Sequence, residues 1–216
     1  MSTAVSSRQL ILDRVRAAGE DASPREQGYA GLARDYERRG GLDNEARLEL
    51  MIERLREYDA KVVECAPNEL PAAIAEQLRL SDRHSFVTPE GLPAEWLAAG
   101  FEWKVDGGLD AGEIEKAEGV VTGAFCGVAN SGTIVLHHSA REGRRIITLL
   151  PDWHLCILFA SQVVETLPEY FGRCDKAPPL VTWISGPSAT ADIEMTRIKG
   201  VHGPRFLVVI LVRDPN

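Results

Sequence analysis

The sequence predicts an α/β protein: a three-layer α/β/α arrangement with a mixed, mostly parallel sheet, preceded by a helical arm. Three observations carry this. Between Lys61 and Ala99, short apolar runs of strand length alternate with helical stretches, the rhythm of a sheet with helices on its faces. Further on, two apolar runs are separated only by Pro151-Asp152, too little chain for a parallel crossover, so antiparallel pairing is expected there. Near the end, Phe206 to Val212 is uninterrupted apolar sequence, suited to a strand buried on both faces.

The elements follow in order. Ser6-Ser-Arg-Gln9 has capping-box spacing, and Ile11, Val15 and Ala18 continue at helical period until Gly19. Residues 20 to 42 are polar and glycine-containing, so residues 1–42 are expected to form an arm and 43–216 the main domain. Leu48, Met51, Leu55 and Tyr58 mark one face of a helix from about Asp43 to Asp59. Lys61–Cys65 suits a strand, Asn68–Leu80 a helix, Ser85–Thr88 a strand and Pro93–Ala99 a short helix. Gly119–Cys126, Thr133–His137, Arg145–Leu150 and Trp153–Leu158 read as strands, and Ser161–Phe171 as a helix. Val181–Ser185 reads as a strand, Ala189–Lys199 as a helix, and Phe206–Val212 as the last strand.

Charge is unevenly spread. The net charge of −8 divides into −7 through Asp110 and −1 over the rest. An acidic chain lacks the clustered Lys and Arg that bind phosphate backbones, so nucleic acid is not an expected partner. No apolar run approaches bilayer length and the first residues lack a signal-peptide pattern, so a cytoplasmic globular protein is expected. Cys65, Cys126, Cys156 and Cys174 contain no Cys-x-x-Cys pair, the spacing that lets a short loop offer two ligands to one metal. No metal and no cofactor are expected in this chain.

Candidate chemistry lies in the second half. Ser185-Gly-Pro-Ser-Ala-Thr-Ala-Asp-Ile-Glu194 reads as a strand, a glycine turn and a helix start, where free N–H groups attract anions. Ser188 and Thr190 can cap that helix or touch a ligand, and Asp192 and Glu194 suit a plain first turn equally well. His202 sits between Gly200 and Gly203-Pro204, a loop able to hold a ring near strand ends. Gly127-Val-Ala-Asn-Ser-Gly132 is either a plain turn or a backbone that lets a ligand approach Asn130 and Ser131. His137 and His138 are adjacent in a strand and point to opposite faces, and His154 reads as a satisfied core residue. Arg141, Arg144 and Arg145 could hold an anion or form a solvated tip.

Taken together, Asn130-Ser-Gly-Thr-Ile-Val-Leu136, Pro151-Asp-Trp-His154, Gly186-Pro-Ser-Ala-Thr-Ala-Asp-Ile-Glu194 and Gly200-Val-His-Gly-Pro204 resemble the LUD domain of the lactate-utilisation protein C family. The resemblance runs from about Leu48 to Arg213. It implies a fold like that of CoA transferases and glucosamine-6-phosphate deaminase-type isomerases. It also implies a part in oxidising L-lactate to pyruvate, beside partner proteins that carry iron–sulfur clusters. Family members commonly place an acid where this chain has Asn130 and a base where it has Ala189.

Under this reading Asn130, Ser131, Gly132, Gly186, Ser188, Thr190 and Asp192 bind a small anionic ligand, and Glu194 and His202 are the catalytic candidates. The chain would be a ligand-binding subunit of a lactate-oxidising assembly. Two other readings stand beside it. One is a self-sufficient enzyme on a small phosphorylated or CoA-linked acid, with Glu194 or His202 moving a proton. The other is a non-catalytic scaffold.

Overall fold

The structure, a computed structural model, describes residues 6–19, 31–176, 178–187, 189–190 and 198–213. Two compact units divide the chain, residues 1–37 and 38–216. In the first, helix α1 (Ser7–Gly19) opens with Ser6 Oγ accepting from the Gln9 amide at 3.3 Å and buries no residue. No helix among the described residues is long and apolar enough to cross a membrane.

The second unit is built on a six-stranded sheet. Helix α2 (Asn44–Glu57) starts where the Asp43 carboxylate accepts from the Ala46 amide at 2.9 Å. It is followed by β1 (Lys61–Cys65), α3 (Leu70–Leu80), β2 (Ser85–Thr88), β3 (Glu102–Val105), α4 (Ala111–Glu115) and β4 (Gly119–Gly123). The last two central strands are β7 (Trp153–Phe159) and β12 (Phe206–Val212). Their spatial order is β1-β12-β7-β4-β2-β3, and every neighbouring pair is parallel.

Between them the chain leaves to form a smaller sheet, β5 (Cys126–Val128), β6 (Thr133–Leu136), β8 (Val163–Val164) and β9 (Thr182–Ile184), in the order β8-β5-β6-β9. Helix α5 (Leu167–Gly172) joins β8 to β9. A two-stranded antiparallel ribbon, β10 (Ala189–Thr190) with β11 (Ile198–Lys199), precedes β12.

Alternation along β7 and β12 sets the layers. Cys156, Leu158, Leu207, Val209 and Leu211 face α2 and the small sheet, packing with Leu48, Met51, Leu55, Ile134 and Leu136. Leu155, Ile157, Val208, Ile210 and Val212 face the other way, onto Leu70, Ile74 and Leu78 of α3. Both sides of these strands are therefore apolar, as buried parallel strands require.

Several expectations are corrected. Antiparallel pairing does not involve β7: Arg145–Thr148 is a 3₁₀ turn whose Ile147 joins Val87, Ile114 and Val120 in a satellite core. A short apolar run has no unambiguous period, and here packing decided it. Gly119–Cys126 is not one strand, because the chain passes between sheets at Ala124-Phe125. Ser161–Phe171 is not one helix: the β-branched Val163-Val164 pairs with β5, and Pro168 with the Thr166 cap starts α5 only at Leu167. Ala189 and Thr190 pair with Lys199 and Ile198 instead of opening a helix, tertiary pairing overriding the capping pattern. Pro93–Ala99 keeps only a 3₁₀ turn at Ala94–Trp96, while β3 and α4 had no counterpart in the sequence reading.

Candidate functional site

The β6–β9 ladder pairs Ile134 with Ile184, which brings the residues just before and after these strands together. Thr133, buried at the start of β6, has its Oγ1 2.8 Å from Ser185 Oγ and 2.8 Å from Ser131 Oγ. Three hydroxyls thus form a continuous row with both end residues exposed. Each hydroxyl has one proton to donate and lone pairs to accept, so turning the protons lets an end of the row meet either a donor or an acceptor. Such a row suits a small molecule that carries both kinds of group.

The two loops meeting here rest on the end of α2. Gly132 has φ +59°, and a Cβ on it would lie 2.6 Å from Arg54 Cβ. Gly186 has φ +80°, and a Cβ on it would lie 2.3 Å from Tyr58 Cβ. Their glycine character therefore serves close packing on a helix end, a demand the sequence motif did not distinguish from ligand approach. Asn130 is exposed, and its amide is held by Glu165 O at 3.0 Å.

The structure thus brings together Asn130, Ser131, Gly132 and Gly186, and adds Thr133 and Ser185. Ser188, Asp192 and Glu194 lie outside the described residues. Thr190 lies in β10. His202 is exposed and precedes β12, so it stands at the amino ends of β7 and β12, not at the carboxyl ends where open α/β sheets usually bind ligands. It borders an open groove of about 480 Å³ with Arg145, Asp152 and Arg205. Arg205 grips Asp152 through Nε–Oδ1 at 2.5 Å and Nη2–Oδ2 at 2.9 Å, which holds that carboxyl below its usual range.

His154 is a core residue, bonded through Nε2 to Thr122 Oγ1 at 2.8 Å, and burial drives its pKa down to about 4. Of the loop arginines, Arg144 is committed to Asp106, a buried acid whose pKa it lowers through two hydrogen bonds.

The sequence reading missed a polar cluster in the loop after β6. This loop covers the carboxyl ends of β2 and β4: Gly123 donates to Arg141 O at 2.9 Å and Gly91 to Ala140 O at 3.0 Å. Glu142 is buried here and accepts from the His137 amide and, at 2.8 Å, from Ser139 Oγ. His137 stacks on Phe125 with ring centroids 3.6 Å apart, and its Nε2 lies 2.8 Å from Tyr170 OH. Burial lowers the His137 pKa, which favours the neutral ring. His138 has φ +57°, a costly conformation fixed by bonds to Gly143 O and Thr182 Oγ1. Both histidines follow β6, so the strand-face expectation is corrected. Two adjacent histidines followed shortly by Glu142 in a glycine-containing loop were the available signal. Among the described residues, no group of three His, Cys, Asp or Glu side chains could hold a metal ion.

Comparison with known proteins places the chain in a family. Residues 111–212 match the model of the LUD domain. A Deinococcus radiodurans protein named lactate utilization protein C is 39% identical over 165 residues, covering 74% of this chain and 76% of that protein. The Bacillus subtilis lactate utilization protein C is 34% identical over 136 residues, 57% of this chain and 55% of the relative. The chain therefore spans little more than half of that second relative. Among solved structures, a DUF162 family protein from Deinococcus radiodurans superposes with a TM-score of 0.65 at 32% identity, covering 80% of this chain and 99% of the other. On the matched domain, the identity to the first relative and the shared fold, this chain belongs to the LUD-domain family that includes the lactate utilization C proteins.

Proposed function

We propose that this protein serves L-lactate utilisation as the subunit that binds the small acid, beside partner proteins whose iron–sulfur clusters take the electrons. The observation that carries this reading is the 39% identity over 165 residues to a protein named for lactate utilisation. The hydroxyl row Ser131–Thr133–Ser185 supports it, since lactate offers a hydroxyl that donates and a carboxylate that accepts. Oxidising lactate to pyruvate releases electrons that need an acceptor. The sequence holds neither paired cysteines nor a dinucleotide fingerprint, which favours an acceptor on another chain. Residues 1–42 would form the arm that docks on that partner, with 43–216 as the ligand-binding domain.

The test is deletion of the gene in its own host, combined with affinity purification of the full chain. Growth on L-lactate as sole carbon source is expected to be lost, and the purified chain to bring iron-containing proteins with it. Restoration by the wild-type gene, but weakly by Thr133→Val, places the defect at the hydroxyl row. Normal growth of a strain without a duplicate gene overturns the proposal.

A further inference from the structure

The six-stranded sheet reverses its winding between β2 and β4. From β2 the chain moves outward to β3, whereas from β4 it moves the other way, to β7. The two connections also leave on opposite faces. Leu92 and Trp96, after β2, pack on the α3 side, while Ala124, Ile134 and Leu136, after β4, pack on the α2 side. Parallel neighbours whose connections part in this way leave a crevice at their carboxyl ends, the place where open α/β sheets bind ligands.

Here the chain itself fills the crevice. Residues 139–143, on the connection from β4 to β7, lie across it and give one carbonyl to each wall. Ala140 O accepts from the amide of Gly91, just after β2, at 3.0 Å, and Arg141 O from that of Gly123, the last residue of β4, at 2.9 Å. The fit is close: a Cβ on Gly91 would lie 2.6 Å from Ala140 O, and one on Gly143 would lie 2.9 Å from Pro89 Cβ.

The segment is otherwise fastened to itself. The buried Glu142 carboxylate accepts from the His137 amide and the Ser139 hydroxyl, and the Gly143 amide donates to Ser139 O at 2.8 Å. Left-handed residues stand at both ends, His138 at φ +57° and Gly143 at φ +70°, with His138 Nδ1 2.9 Å from Gly143 O. Ser139, Ala140 and Arg141 are exposed. A loop that is internally bonded and turned sharply at each end can swing on those ends without losing its own shape.

We propose that residues 139–143 are a lid, closed in this structure, which opens as a unit while the sheet beneath stays folded. Opening frees the neighbouring Gly91 and Gly123 N–H groups, so an entering ligand presents acceptor oxygens in place of the two lid carbonyls. Its apparent affinity is lowered by the fraction of molecules that are open. The lid shares no residue with the Ser131–Thr133–Ser185 row and stands whether or not the chain serves lactate.

The test is amide hydrogen exchange of the ¹⁵N-labelled full chain, followed by NMR over a series of low urea concentrations. Gly91 and Gly123 are expected to share one opening constant, about tenfold or more above that of Ile157 in the middle of β7. Lid opening exposes little surface, so this constant should not respond to urea, whereas that of Ile157 should. Gly91→Ala crowds the lid from one wall and leaves Gly123 and Glu142 in place. It is expected to raise the opening read at Gly123, on the other wall, by about tenfold relative to Ile157. Exchange of both glycines only through the urea-dependent unfolding seen at Ile157, unequal opening constants at the two glycines, or an unmoved Gly123 in Gly91→Ala each overturn the proposal.

Discussion

Thr133 and Ser185 share a 2.8 Å hydrogen bond between their hydroxyls across 52 residues of chain. Through it the turn before β6 and the glycine loop after β9 become one surface, and Ser131 extends the row outward. Thr133→Val removes the central hydroxyl with little change in shape, and is expected to lower stability by about 1–2 kcal/mol. A double-mutant cycle with Ser185→Ala in urea denaturation should return a coupling of about 0.5–1.5 kcal/mol. Strictly additive losses would show that the two hydroxyls do not act together.

Gly186 combines a positive φ with contact on Tyr58. Gly186→Ala therefore adds left-handed strain to overpacking and should cost roughly 2–4 kcal/mol. Gly41→Ala, where a Cβ would meet nothing within 4 Å, is the control and should change stability little. Equal midpoints for the two variants in chemical denaturation would contradict the packing seen at the end of α2.

His154 couples stability to acid. Its pKa is about 4 in the folded chain because burial disfavours the charged ring, against 6.5 for the free side chain. Below the unfolded value the unfolded chain binds the extra proton, so the contribution is complete above pH 6.5. It is lost as pH falls toward 4, by about 3 kcal/mol over that interval. His154→Gln should flatten this limb of a stability–pH curve measured by denaturant titration. A limb unchanged by the substitution would assign it to other groups.

Cysteine reactivity should divide by burial. Cys126 and Cys156 are buried, and desolvation pushes their thiols up to about 11 and about 12. Cys65 and Cys174 are half-buried. Thiolate is the reacting form, so a maleimide at neutral pH should label Cys65 and Cys174 first, and Cys126 and Cys156 only with denaturant. Mass spectrometry of digested protein reads this directly, and early labelling of Cys156 would refute the packing of β7.

The separability of these effects reflects what was legible in the chain. β1, β2 and β12 were readable because each is a short apolar run bounded by turns, and α2 because Leu48, Met51 and Leu55 repeat at helical period. Arg145–Leu150 and the two ends of Ala189–Lys199 differ from expectation, residues 191–197 lying outside the described residues, because apolar or cappable stretches carry no signal for which surface will cover them. The loop glycines showed a similar limit. Gly132 and Gly186 were recognisable as special, but only their contact with α2 shows what they are special for.

Composition and local pattern by themselves determined the α/β class, the dispersed cysteines and the motif residues of the family, since each is written in residue type and spacing. The tertiary structure alone decided that the motif around Ser131 meets Ser185 while His202 stands at the amino ends of β7 and β12. It alone showed Gln77 turned inward on α3 and Glu142 buried after β6. The physical reason is that strand order and sheet exchange depend on long-range burial of both faces of β7 and β12, and no local spacing encodes which distant loop that burial brings alongside.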